Sequence, residues 1–165
     1  MNILITGNKG FIGQHLENTL NHLGLANYKA IPLSREDFKN SKLLDAKVKN
    51  SYVIIHLAAL NRHEDQSVLY DLNMNLSYDL VNSIKRVGFN GKLIFSSSIQ
   101  ESLNNSYGKS KKDSRSLFIK ESKLNGFIFS GLVLPNVYGP FGKPNYNSFI
   151  PTFCQKILNG KKVEI

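Results

Sequence analysis

The chain is short of cysteine, of acidic residues and of long apolar runs, and each shortage excludes something. Cys154 is the only cysteine among 165 residues, so no intrachain disulfide forms. No apolar run approaches the roughly 18 residues of a membrane-spanning helix. Met1 to Gly7 lacks a basic stretch and its apolar run stops at Gly7, so a secretory signal is not expected and the cytoplasm is the expected location. Asp and Glu number 12 against 21 Lys and Arg, a net charge of +9. Such an excess admits nucleic acid as a partner. The lysines are scattered, however, with short pairs such as Lys111-Lys112 and Lys161-Lys162, and no nucleic-acid motif accompanies them. A solvated basic surface is expected, with some charge spent on phosphate-bearing ligands. Nucleic acid, membrane and metal are not expected partners. No internal repeat or low-complexity linker interrupts the chain.

What is present is enough for one domain: 165 residues, 41% of them hydrophobic. Strand and helix signals alternate. Asn2–Ile5 reads as a buried strand ending at a glycine turn. Phe11, Ile12, His15, Leu16, Leu20 and Leu23 follow at helical spacing, with Gly24 as the stop. Tyr28–Leu33 predicts a second strand, 41–50 a short helix, and Tyr52–His56 a central strand rich in β-branched residues. Leu72, Leu76, Leu80, Ile84 and Val87 trace a long helix closed by Gly88. A strand over Lys92–Phe95, a helix from Tyr107 to Leu124, a strand over Phe127–Leu134, a helix over Ile150–Leu158 and the start of a strand at Val163–Ile165 complete the pattern. Alternation of this kind predicts an α/β fold, a Rossmann-like doubly wound parallel sheet, whose ligands bind beyond the carboxyl ends of the strands.

The turn after the first strand reads Thr6-Gly7-Asn8-Lys9-Gly10-Phe11-Ile12-Gly13, with glycine at every third position. Absence of Cβ atoms lets backbone approach a pyrophosphate, whose charge the helix N-terminus favours. Gly7, Lys9, Gly10, Phe11, Ile12 and Gly13 are therefore candidate dinucleotide contacts. The second strand ends at Ser34 and Arg35 rather than at a carboxylate. A guanidinium there suits a 2′-phosphate and favours NADP, while Glu36 and Asp37 close behind keep NAD open.

Tyr107 and Lys111 stand four apart, on one face of a helix. The spacing predicts that the lysine cation favours the phenolate and lowers the tyrosine pKa, fitting Tyr107 for proton exchange near neutral pH. Phe95-Ser96-Ser97-Ser98 ends the preceding strand and offers a hydroxyl to the same oxygen.

Taken with T-G-x-x-G-F-I-G, these residues resemble the extended short-chain dehydrogenase/reductase family of nucleotide-sugar epimerases, dehydratases and 4-ketoreductases. The resemblance implies that Ser98 is the catalytic serine, with Ser97 as the alternative, and Tyr107 the acid/base. It also implies that Lys111 tunes Tyr107 and holds the nicotinamide ribose. His56-Leu57-Ala58-Ala59 resembles the loop beside the cofactor, which brings in Leu57, Ala58, Ala59 and Ser96. Asn73 matches a supporting asparagine. Leu134-Pro135-Asn136-Val137-Tyr138-Gly139-Pro140 resembles a segment in which the backbone at Pro135 and Val137 meets the nicotinamide and Asn136 meets the sugar nucleotide. Two departures stand out. Val133 replaces an arginine common shortly before that segment, and only eight residues, 99 to 106, separate Ser98 from Tyr107.

Four strings resemble a narrower group. They are Leu60-Asn61-Arg62, Ser96 to Gln100, Asn105 to Lys111, and Lys143 to Cys154. The group is that of bacterial capsule and O-antigen reductases acting on UDP-linked 4-keto-6-deoxy-N-acetylhexosamines. Asn61, Arg62, Tyr146 and Asn147 become substrate-side candidates, with a plain polar loop as the alternative. The resemblance implies an NADP(H)-dependent reductase of such a sugar. An epimerase or dehydratase on the same scaffold, or a cofactor-binding module without catalysis, are the alternatives. Ser98-Ile99-Gln100 lacks the threonine-carboxylate pair usual in the dehydratases. Residues 1–165 are expected to form the dinucleotide-binding domain. From about residue 140 the chain is expected to begin a substrate-binding lobe that is mostly missing. A homodimer is an open option.

Overall fold

In the computed structural model of the chain, residues 1–23 and 27–163 are described. Gly24, the expected stop of the first helix, lies outside them, as do the last two residues of the strand expected at Val163–Ile165. The elements run β1 (Asn2–Thr6), α1 (Phe11–His22), β2 (Lys29–Leu33), α2 (Ser41–Lys49), β3 (Val53–His56), α3 (Gln66–Val87), β4 (Lys92–Ser98), α4 (Ser106–Asn125), β5 (Ile128–Leu134) and α5 (Phe149–Leu158). Single 3-10 turns cover Asp37–Lys39 and Ile99–Ser102.

The strands form one five-stranded sheet in the order β2-β1-β3-β4-β5. Pairing is parallel between β1 and β2, β1 and β3, and β3 and β4. The chain builds outward from β1 in both directions, so the order reverses between β1 and β3. In such sheets the ligand crevice lies there, beyond the strand ends. The register sets Thr6 opposite His56 at that place.

Alternation along the strands sorts the core. Leu4, Ile54 and Leu93 are fully buried and join the cluster formed by Leu44, Leu80, Ile84 and Phe118 of α2, α3 and α4. Ile3 and Ile5, also buried, point to the opposite face. β5 is an edge, and Ile128, Leu132 and Val133 on it are exposed.

Three of the departures from the sequence expectation have a local cause. α3 starts at Gln66 rather than at Leu72, because Asp65 accepts hydrogen bonds from the backbone N–H groups of Ser67 (2.8 Å) and Val68 (3.3 Å) and caps a polar first turn. β4 runs on through Ser98, since the small hydroxyl side chains of Ser96 and Ser97 fit buried positions. Leu23, expected on the apolar stripe of α1, follows the helix end and is 61% exposed.

The chain divides into two compact units, Met1–Val133 and Leu134–Ile165. In the second, Ser148 precedes α5, the rings of Phe149 and Phe153 meet edge to face at 5.3 Å, and Thr152 Oγ1 accepts from the Asn145 N–H at 2.7 Å. No helix among the described residues is long and apolar enough to cross a membrane.

Candidate active site

The glycine turn is shaped by close contacts. Gly7 has φ +70°, and a Cβ on it would lie 2.8 Å from the Ala58 nitrogen. A Cβ on Gly13 would overlap the Gly7 carbonyl oxygen. Gly10 caps α1 with extended backbone and no side-chain hydrogen bond, whereas Asn40, Asp65 and Asn105 cap α2, α3 and α4 with their side chains. The first turn of α1 thus keeps its N–H groups available to an anion. Beside it, Asn8 donates to Glu17 at 3.2 Å, while its Oδ1 is buried without a partner. A pyrophosphate with an adjoining hydroxyl donor fits these residues. Lys9 and Gly10 are exposed, Phe11 and Ile12 half-buried.

Thr6 and His56 tie this turn to the loop after β3. Thr6 Oγ1 accepts from the N–H groups of Leu57 and Ala58, both at 3.1 Å, and lies 2.7 Å from His56 Nδ1. With two donors already on the oxygen, the hydroxyl hydrogen goes to Nδ1, which leaves the imidazole proton on Nε2. Burial, then the nearby Lys111, press the His56 pKa down to about 3, so the ring is neutral. It stacks on Phe95 at 5.7 Å. The loop continues with half-buried Ala59, then exposed Asn61 and Arg62. Asn73 fastens it from α3. Its Oδ1 accepts from Leu60 N (2.7 Å), and its Nδ2 donates to Leu60 O (3.0 Å) and to Ser110 Oγ (3.1 Å). Both amide hydrogens are spent inside the protein, so Asn73 shapes the loop. Ser110 Oγ in turn donates to the Tyr107 carbonyl at 2.7 Å.

Ser98 closes the carboxyl end of β4, and Lys111 reaches that strand from α4, with Tyr107 one turn before it on the helix. Ser98 is half-buried and its Oγ accepts from the Gln100 N–H at 3.2 Å. Ser97, the alternative serine, is buried and donates its hydroxyl to Glu101. Asn105 opens α4 by accepting from Gly108 N at 2.7 Å, and this sets Tyr107 in the first turn. Lys111 is buried. Its Nζ donates to the Ser96 carbonyl at 2.7 Å, 4.8 Å from the Phe95 ring and 5.8 Å from the Tyr107 ring. Burial lowers the Lys111 pKa to about 7, with Glu101 pulling the other way. The expectation that Lys111 lowers the Tyr107 pKa is corrected. The ammonium sits on the Ser96 carbonyl, and burial pushes the half-buried phenol above its ordinary value.

At the end of β2, Ser34 is half-buried and Arg35 exposed. Asp37 is engaged within the protein. It accepts from Ser34 N at 2.8 Å and from Lys47 Nζ at 2.9 Å. Burial alone would raise its pKa, but the Lys47 and Ser34 hydrogen bonds outweigh it and hold the carboxyl below its ordinary range. In the second unit Pro135, Val137, Tyr146 and Asn147 are exposed, and Asn136 Nδ2 lies 3.5 Å from Ser148 Oγ.

Sequence reasoning passed over Thr6, His56, Ser110, Glu101 and Arg115 as site residues. The first two were legible as the residues ending two adjacent strands. Arg115, one turn beyond Lys111 on α4, stood on the same helix face.

The chain belongs to the NAD dependent epimerase/dehydratase family, whose model matches residues 3–165. Over its whole length it is 32% identical to a UDP-2-acetamido-2,6-beta-L-arabino-hexul-4-ose reductase of Pseudomonas aeruginosa, of which it covers 43%. Among solved structures it is similar to the capsular polysaccharide assembling protein CapF of Staphylococcus aureus. There the TM-score is 0.80 and the identity 28%, over 100% of this chain and 42% of that one. It also shares its fold with RMD of Pseudomonas aeruginosa, complexed with NADPH, at TM-score 0.75 and 23% identity over 88% of this chain and 57% of that one. The chain spans less than half the length of the first two relatives.

Proposed function

We propose that the chain carries the cofactor-binding and catalytic part of an NADP(H)-dependent reductase. Its substrate is a UDP-linked 4-keto-6-deoxy-N-acetylhexosamine, a cytoplasmic precursor of surface polysaccharide. The observation that carries this reading is that buried Lys111, with Tyr107 one turn before it, bonds the Ser96 carbonyl near the end of β4 that Ser98 closes, on a sheet whose glycine turn leaves the first turn of α1 open to a phosphate. The relative that is 32% identical is named for a reductase of that sugar class, which supports the choice of substrate.

When bound, the nicotinamide supplies hydride to the sugar carbonyl. Ser98 and Tyr107 hydrogen-bond the carbonyl oxygen, and Tyr107 delivers the proton that the forming alkoxide needs. A phenol held protonated by burial is in the right state to donate. Lys111, one turn along the helix, holds the nicotinamide ribose. Gly7 to Gly13 and the open turn of α1 hold the pyrophosphate. Ser34 and Arg35 receive the 2′-phosphate, and the ion pair with Lys47 removes Asp37 as an opposing charge. The backbone at Leu57, Ala58, Ala59, Pro135 and Val137 serves the nicotinamide side, and Asn61, Arg62, Asn136, Tyr146 and Asn147 serve the sugar nucleotide.

The test follows NADPH absorbance with the keto-sugar as acceptor. Tyr107→Phe is expected to lower turnover about 100-fold or more while keeping NADPH binding. Turnover equal to wild type refutes the role of Tyr107. NADPH binding by calorimetry with no turnover on any UDP-sugar identifies a binding module instead.

A further inference from the structure

The short connection between Ser98 and Tyr107 is tied down more heavily than its length requires. Gln100 presses its carbonyl against Gly108, where a Cβ would overlap the oxygen. The same carbonyl accepts from Leu103 N at 2.9 Å, and Gln100 Oε1 accepts from Asn105 Nδ2 at 3.3 Å. These contacts hold the 3-10 turn on the first turn of α4. A second tie lies deeper. Glu101 accepts the Ser97 hydroxyl and receives Arg115 in a fork, with Nε at 2.9 and 3.1 Å from its two oxygens and Nη2 at 2.6 Å. The Glu101 side chain keeps only 10% of its exposure. Gly131 on β5 leaves room for the arginine stem, since a Cβ there would lie 3.0 Å from Arg115 Cδ. Arg115 is one turn after Lys111 on the same face of α4, and the carboxylate that grips it is near enough to act on the Lys111 charge.

Building on the reading of Ser98, Tyr107 and Lys111 as reaction residues, we propose that Glu101 is their positioning residue. Pinned by Arg115 and Ser97, it ties the serine end of β4 to the Tyr107 helix and lays a fixed negative charge against the face that carries Lys111. The titratable or charged groups around the Lys111 ammonium are Glu101 on the 3-10 turn, His56 on β3, and Tyr107, Lys112 and Arg115 on α4. His56 is neutral and Tyr107 protonated. The charge that pulls the lysine toward its protonated form comes from Glu101. Two effects therefore compete at Lys111: burial drives the lysine pKa down, and the Glu101 charge draws it up.

Carbon-13 NMR titration of labelled lysine, on the whole chain without cofactor or sugar, separates the two. Wild-type Lys111 is expected to titrate near 7. In Glu101→Gln the midpoint is expected to fall, because the favourable charge is gone. Arg115→Gln is expected to raise it, because Glu101 is then unopposed. A merely structural tie predicts the reverse for Glu101→Gln: loosening admits water, and the midpoint climbs toward that of an ordinary lysine. A midpoint in Glu101→Gln at or above wild type overturns the proposal. Glu101→Asp, which keeps the charge but draws it back by one methylene, is expected to fall between the two. Should Glu101→Gln fail to fold, Glu101→Asp decides, and a rise above wild type overturns the proposal. The reductase reading fails separately, as absent NADPH turnover with the titration unchanged.

Discussion

Replacing Thr6 by Val keeps the shape of a fully buried side chain and removes one hydroxyl. Three groups use that hydroxyl: Leu57 N and Ala58 N as donors, and His56 Nδ1 as acceptor. Leu57 N keeps a second partner, the Thr6 carbonyl at 3.3 Å, so two groups are orphaned. A buried polar group without a partner costs about 1–3 kcal/mol. Ala58 is only half-buried, so water relieves part of its loss. The sum for Thr6→Val is then about 2–4 kcal/mol. For a chain of this size each kcal/mol moves the melting temperature about 2–4 °C, so the variant should melt roughly 5–15 °C lower. Thr6→Ser, which keeps the hydroxyl, should recover most of the loss. Circular dichroism melts of the three proteins make the measurement. If Thr6→Val melts within about 2 °C of wild type, the hydroxyl is not the junction described, and the hydrogen-bond assignment around His56 is wrong.

His56 and Arg35 give two more tests. The folded His56 pKa lies below the unfolded one, about 3 against 6.5. Below pH 6.5 the unfolded chain therefore takes up a proton that the folded chain refuses. Stability should fall as pH drops from 6.5 toward 3, and His56→Gln should lose less over that window in urea titrations at stepped pH. A parallel pH dependence in both proteins contradicts the buried neutral imidazole. Arg35→Ala should weaken NADPH binding by roughly 10-fold, the worth of a charged hydrogen bond of about 1.5 kcal/mol, and leave NADH unaffected, by calorimetry. Equal loss for both coenzymes removes Arg35 from the 2′-phosphate.

Much of the site was written locally. The glycine spacing announced the turn before α1, because a close backbone approach excludes Cβ atoms whatever the rest of the fold does. Tyr107 and Lys111 announced their shared face by helical spacing alone. The extent of β4 was not legible, since three serines carry no strand signal until buried neighbours accept them. The fate of the lysine charge was not legible either. Spacing aims Lys111 at Tyr107, yet the ammonium rests on the carbonyl of Ser96, a residue 15 positions away in the chain.

The alternation of apolar runs and glycines, a property of neighbours along the chain, determined a parallel α/β sheet and the turn that opens toward a phosphate. Tertiary structure alone decided which polar groups meet. The parallel register sets Thr6 beside His56, 50 positions apart, and the docking of α4 on the 3-10 turn sets Glu101 on Arg115. Such contacts follow from pairing and burial between distant segments, and no local spacing encodes them.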